Sequence, residues 1–213
     1  MRVKICGVND PDAFRTACEA GADYVGFVFF PASPRAVAPG AAAQLAALHP
    51  GGPERVGLFV DPDDDAIEAV LREVRLDMVQ LHGDETPERV AAIRARFGVR
   101  VMKAAGVATR AEAEAAVRGF AAVADMLMFD AKPPPGATRP GGNAVAIDWA
   151  LLRGLAVPLP WLLAGGLTPA NVVEAIAVSG APGVDVSSGV ERARGVKEPA
   201  LIRAFIAAAR GAS

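Results

Sequence analysis

The chain has 213 residues, of which 52% are hydrophobic and 22% charged, enough apolar material for a core and too much for a disordered segment. Twenty-two basic against 24 acidic side chains give a formal charge of −2, which excludes the strongly basic balance of a nucleic-acid groove. Two cysteines (Cys6 and Cys18) and two distant histidines (His49 and His82) exclude a disulfide framework and a His-rich metal centre, and a reducing, cytoplasmic setting is expected.

The opening MRVKICGVND intersperses charges with apolar residues and has no long apolar stretch, so no signal peptide is read there. The segment 154–173 is uncharged and of membrane length, but Pro158, Pro160, Pro169 and the pair Gly165-Gly166 would break a spanning helix. A buried strand, a tight turn and a new helix account for it better. No membrane partner is expected.

In chain order, VKIC (3–6) reads as a first strand, and Asp10-Pro11 opens a helix over 10–20 that Gly21 closes. YVGFVF (24–29) and RVGLFV (55–60) are the next strands, and the acidic run 61–65 precedes helix AIEAVLREV. MVQLH (78–82) follows, then a helix opened by Thr86-Pro87-Glu88 and ended by Gly98. After strand VRVMKA (99–104), Thr109 and Glu112 form a capping box for a further helix. MLMFDA (126–131) leads into a Pro/Gly loop, 133–143, long enough to carry function. WLLAG (161–165) precedes a helix opened by Thr168-Pro169 and closed by Gly180, and GVDVSS (183–188) precedes a last helix from Glu198-Pro199 to Arg210.

Eight nearly continuous apolar strands alternating with amphipathic helices predict a parallel sheet covered on both faces. Over about 210 residues this is a single (β/α)8 TIM barrel spanning 1–213. An open doubly wound sheet is the competitor, but it usually has five to seven strands.

In such a barrel the chemistry sits at the C-terminal ends of the strands. Cys6 ends the first strand. A buried structural thiol is its common role, but there it can also serve as base or nucleophile, with Lys4 on the same side of the strand favouring the thiolate. Cys18 is expected in the core. Asp130, after four apolar residues, caps a turn or acts as a general acid. Cys6 and Asp130 fall on strands 1 and 6, flanking the mouth with a proton acceptor and a donor, a layout that fits isomerisation. Gly165-Gly166 after strand 7 and Ser187-Ser188-Gly189 after strand 8 bring backbone N–H groups together for a phosphate, as the loops after strands 7 and 8 commonly do. Arg35, at the end of FPASPR, is either a solvated surface residue or a bidentate grip for a carboxylate. His82 is either a satisfied polar group at a strand end or a general base.

KICG (4–7), GFVFFPASPR (26–35), VGLFV (56–60), QLHGDE (80–85), FDAK (129–132), LAGGL (163–167) and GVDVSSGVE (183–191) together resemble the phosphoribosylanthranilate isomerases of tryptophan biosynthesis. The resemblance implies an Amadori rearrangement of a small phosphosugar substrate without metal or cofactor. It casts Asp130 as general acid, Cys6 as general base, and Arg35, His82 and Asp185 as substrate contacts. Backbone amides around Gly165, Gly166, Ser187, Ser188 and Gly189 would take the phosphate. The chain departs from the family pattern at 138–149, where TRPGGNAVAIDW has Ile147 in place of a Phe and lacks a Lys, and at Lys197-Glu198, where the family usually has Lys-Asp. Another phosphosugar isomerase or epimerase barrel and a non-catalytic phosphate binder are the alternatives, and a monomer and a homodimer both fit.

Overall fold

A computed structural model of the chain describes residues 1–132 and 147–212; loop 133–143 lies outside the described residues. Eight parallel strands close into a barrel in sequence order. They are β1 (Arg2–Cys6), β2 (Tyr24–Val28), β3 (Glu54–Phe59), β4 (Met78–Leu81), β5 (Arg100–Val107), β6 (Met126–Ala131), β7 (Trp161–Leu163) and β8 (Gly183–Val186). Closure is made by β1 on β8, with Lys4 in register with Asp185. All eight expected strands are present, within a few residues at their ends.

The helices are α1 (Pro11–Glu19), α2 (Pro39–Ala47), α3 (Asp64–Glu73), α4 (Pro87–Phe97), α5 (Arg110–Phe120), α6 (Val172–Ser179) and α7 (Pro199–Gly211). Their ends follow the expected punctuation. Asp10 accepts from the Ala13 N–H at 2.9 Å with Pro11 in the first turn. Thr109 and Glu112 close a reciprocal capping box, and Gly98 and Gly180 stop α4 and α6 in the left-handed conformation.

Three features differ from the sequence reading. Helix α2 was not anticipated; it is alanine-rich, and its N-cap, Ala38, makes no side-chain capping bond. Helix α6 starts at Val172, not Pro169, because Asn171 holds residues 166–168 in a turn, accepting from the Thr168 N–H at 2.7 Å and donating to the Gly166 carbonyl at 3.0 Å. A short antiparallel hairpin, β9 (Glu191–Ala193) and β10 (Val196–Lys197), stands between β8 and α7.

The alternation of strand side chains builds two cores. One packs the outer faces of the strands against the helices, with Ile5, Phe27, Val79, Leu127, Phe129 and Val184 facing Phe14, Ile67, Ile93, Ile202 and Phe205. The other fills the barrel interior with Tyr24, Val56, Met78, Met102, Met126, Met128 and Leu162. A smaller cluster of Cys6, Val28 and Leu58 caps it. The segment 154–173 contains strand β7 and the turn before α6. Among the described residues, no helix is long and apolar enough to cross a membrane.

Candidate active site at the barrel mouth

Lys4 and Cys6 are two residues apart on β1 and therefore share a face. Lys4 is completely buried, and its Nζ meets Asp185 Oδ1 at 2.7 Å across the β1–β8 seam. Cys6 is 5% exposed. Its register partner on β2 is Gly26, where an added Cβ would sit 3.0 Å from Cys6 Sγ and 3.2 Å from Lys4 Nζ. The glycine leaves room for thiol and ammonium to share one pocket.

Burial pushes the Cys6 thiol above its ordinary value, a push that Lys4 and Lys197 oppose only in part. Burial would likewise depress the Lys4 ammonium, but Asp185 and Cys6 hold it above the ordinary lysine value. The expectation that Lys4 favours the thiolate is thus right in sign and insufficient in size. The Cys6 thiol is therefore harder to ionise than a free cysteine, with the Lys4 ammonium beside it to offset part of that cost.

On the β6 side, Asp130 is 7% exposed. Its Oδ1 accepts the Ala131 N–H at 2.7 Å, and its Oδ2 lies 3.2 Å from His82 Nε2. His82 Nδ1 is in turn 3.0 Å from Gln80 Nε2. Gln80 is fully buried, two residues back on β4, and its Oε1 has no hydrogen-bond partner among the described residues. His82 therefore meets the carboxyl of Asp130 directly.

The loops after β7 and β8 pass between these flanks. Gly165 has φ +90°, and a Cβ on it would lie 2.8 Å from the Ala131 nitrogen and 3.1 Å from Asp130 Oδ1. Gly189 abuts the Leu167 carbonyl so closely that any side chain would collide with it. Glycine is required at both positions by close backbone approach. Ser187 is tied into the same floor, its hydroxyl donating to the Cys6 carbonyl at 3.2 Å, and Ser188 starts a single 3-10 turn, Ser188–Val190.

Arg35 is not a solvated surface residue. It is 5% exposed, its stem lies over Gly7, and its Nε and Nη2 donate to Glu191 Oε1 and Oε2 at 2.6 and 3.0 Å. Glu191 also accepts from Lys197 Nζ at 3.0 Å and from the Gly195 N–H at 3.0 Å. A further buried pair, Lys103 with Glu85 at 2.8 Å, braces the β4 loop: Lys103 also donates to the Gly83 carbonyl at 2.7 Å, and Glu85 Oε1 accepts the Asp61 N–H at 2.9 Å. Sequence reading missed Gln80, Glu191 and Lys197. Gln80 carried a usable signal, being a polar residue two places before a candidate at a strand end.

The chain as a whole has counterparts among known proteins. The family model described as N-(5′-phosphoribosyl)anthranilate isomerase matches residues 3–208. The chain belongs to the N-(5′-phosphoribosyl)anthranilate isomerase family. It is 60% identical over 211 residues to the enzyme of that name from Paramagnetospirillum magneticum, covering 99% of this chain and 98% of the relative. It is also 60% identical over 209 residues to the one from Paracoccus denitrificans, covering 98% and 97%. The crystal structure of phosphoribosyl anthranilate isomerase from Thermotoga maritima superimposes with a TM-score of 0.86 at 37% identity, covering 99% of both chains. Another phosphoribosyl anthranilate isomerase structure, solved in complex with reduced 1-(o-carboxyphenylamino)-1-deoxyribulose 5-phosphate, matches at a TM-score of 0.82 and 36% identity, again over 99% of each chain.

Proposed function

We propose that this chain isomerises N-(5-phosphoribosyl)anthranilate to 1-(2-carboxyphenylamino)-1-deoxyribulose 5-phosphate in tryptophan biosynthesis, with Asp130 as general acid and Cys6 as general base. The observation that carries the proposal is the pairing of a buried thiol at the end of β1 with a buried carboxyl at the end of β6. The Gly165 loop, which touches the carboxyl, and the Ser187 loop, which touches the Cys6 backbone, lie between them.

In this reading Asp130 gives its proton to the furanose ring oxygen as the C1′–O bond breaks, and the anthranilate nitrogen supplies the electron pair that forms the iminium. Cys6, as the thiolate left once its own proton has passed to solvent, then takes the proton from C2′. The C2′–H electrons become the C1′=C2′ bond of an enolamine, and the iminium nitrogen recovers its pair. Transfer of the enol proton from O2′ to C1′ leaves the C2′ ketone, and the proton taken by Cys6 passes through solvent to Asp130, restoring both groups. Lys4 and Lys197 offset the cost of the thiolate, which is otherwise out of place in a buried site. Backbone amides around Gly165, Gly166, Ser187, Ser188 and Gly189 hold the phosphate, Arg35 meets the anthranilate carboxylate, and His82 and Asp185 complete the contacts.

The test is decay of anthranilate-type fluorescence when purified protein meets N-(5-phosphoribosyl)anthranilate generated in place. Rapid decay is expected. A folded protein that leaves the fluorescence unchanged contradicts the proposal and returns the search to other phosphosugars.

A further inference from the structure

The hairpin β9–β10 belongs to neither flank of the proposed proton transfers, yet it carries a carboxylate that accepts four hydrogen bonds among the described residues. Glu191, with a side chain only 4% exposed, takes both ends of the Arg35 fork, Lys197 Nζ and the Gly195 N–H. The hairpin is itself pinned from three sides. Asn9, after β1, donates to the Gly195 carbonyl at 3.3 Å, and Gly195, at φ +82°, rests against the Pro34 carbonyl before Arg35. Lys197 donates to the Ser187 carbonyl at 2.8 Å.

Two cations and one anion are thus shut into a space beside Cys6, leaving one positive charge without a fixed counter-ion. Burial presses the Lys197 ammonium down, and Glu191 opposes that. The Glu191 carboxyl is kept ionised below its ordinary range, since Arg35, Lys197 and the Gly195 amide outweigh its burial. Arg35 Nη1 makes no hydrogen bond among the described residues, so the guanidinium has one edge committed to Glu191 and one edge free. A planar fork fixed along one edge can offer the other in only one direction.

We propose that Glu191 is a positioning residue that sets the regiospecificity of the site: by clamping Arg35 along one edge, it aims the other at a carboxylate ortho to the reacting nitrogen and away from the meta and para positions. This rests on the reading that Arg35 meets the anthranilate carboxylate. Without the clamp, the site still attracts carboxylates through its extra positive charge, but not in a defined place. Charge alone cannot tell ortho from para, because both adducts carry the same charge. Geometry can, through the alignment of bound substrate with the acid and base.

The experiment compares kcat/KM for the phosphoribosyl adducts of 2-aminobenzoate and 4-aminobenzoate in the wild type, Glu191→Gln and Glu191→Asp. The ortho-to-para ratio is expected to fall at least tenfold in Glu191→Gln, with Glu191→Asp between it and the wild type. If Glu191→Gln does not fold, the Asp variant carries the same test, with a fall of at least threefold expected. A ratio that stays within twofold of the wild type in a folded variant overturns the proposal. A wild type that turns over neither adduct overturns the functional reading instead, so the two failures are distinct.

Discussion

His82 Nε2 lies 3.2 Å from Asp130 Oδ2, while His82 Nδ1 faces Gln80 Nε2 at 3.0 Å, so one imidazole bridges a buried amide and the carboxyl proposed as general acid. A ring held at both nitrogens has its tautomer set by its neighbours. If Asp130 loses a proton in every turnover, the group touching it governs how that proton is restored. Replacing His82 by Asn should lower kcat roughly tenfold or more, short of the ~10²–10⁴-fold that loss of a general acid costs, and raise KM modestly through the lost substrate contact. Steady-state kinetics check this. A raised KM at unchanged kcat would make His82 a contact for the bound substrate alone.

Cys6 predicts a pH dependence of stability. Its thiol is raised by burial above the ordinary value of 9.0, so the folded chain holds that proton where the unfolded chain gives it up. The contribution is therefore full below about pH 9 and is lost as pH rises through the folded value. Lys4, also raised, acts in the same direction at higher pH. Urea unfolding between pH 7 and 10 should show stability falling on the alkaline side, and Cys6→Ala should flatten part of that slope. An unchanged slope would mean that the thiol ionises alike in both states.

Lys4 is wholly buried, and removing it would strand Asp185 without its ion partner. Lys4→Met should cost about 3–5 kcal/mol, the usual penalty for breaking a buried pair from one side. The double variant Lys4→Met with Asp185→Leu should recover much of that loss. Urea midpoints of the single and double variants decide it. Equal midpoints for the wild type and Lys4→Met would show the ammonium to be dispensable to the fold.

Gly189 faces the Leu167 carbonyl with no room for a methyl group, and what it would strike is backbone. Gly189→Ala should push the loops after β7 and β8 apart, at about 1–3 kcal/mol of strain, and weaken phosphate binding. Competitive inhibition by inorganic phosphate should need roughly tenfold more anion, with Cys6 and Asp130 chemistry otherwise intact. An unaltered inhibition constant would place the phosphate elsewhere.

The barrel was readable because its strands are covered on both faces, which makes each an apolar run such as YVGFV or MLMF with helix caps between. The thiol, the carboxyl and the two glycine loops stand at strand ends, where the fold places chemistry, so their positions followed from the alternation itself. The hairpin 191–197 was not legible. Its sequence ERARGVK has no apolar alternation, because it is held by Glu191 and Lys197 bonding to distant loops and not by a face packed on the core. The commitment of Arg35 to Glu191 was hidden for the same reason: the pair is 156 residues apart, and only closure of β1 on β8 brings their loops together. Helix α2 escaped because Ala38 gives it no capping side chain to announce it.

Whether Cys6 and Asp130 move the protons is decided by following anthranilate-type fluorescence with wild type, Cys6→Ala and Asp130→Asn side by side, each shown by circular dichroism to be folded. Fast decay is expected in the wild type, and a loss of about 10²-fold or more in each variant. Full activity in either folded variant would contradict the roles proposed for Cys6 and Asp130.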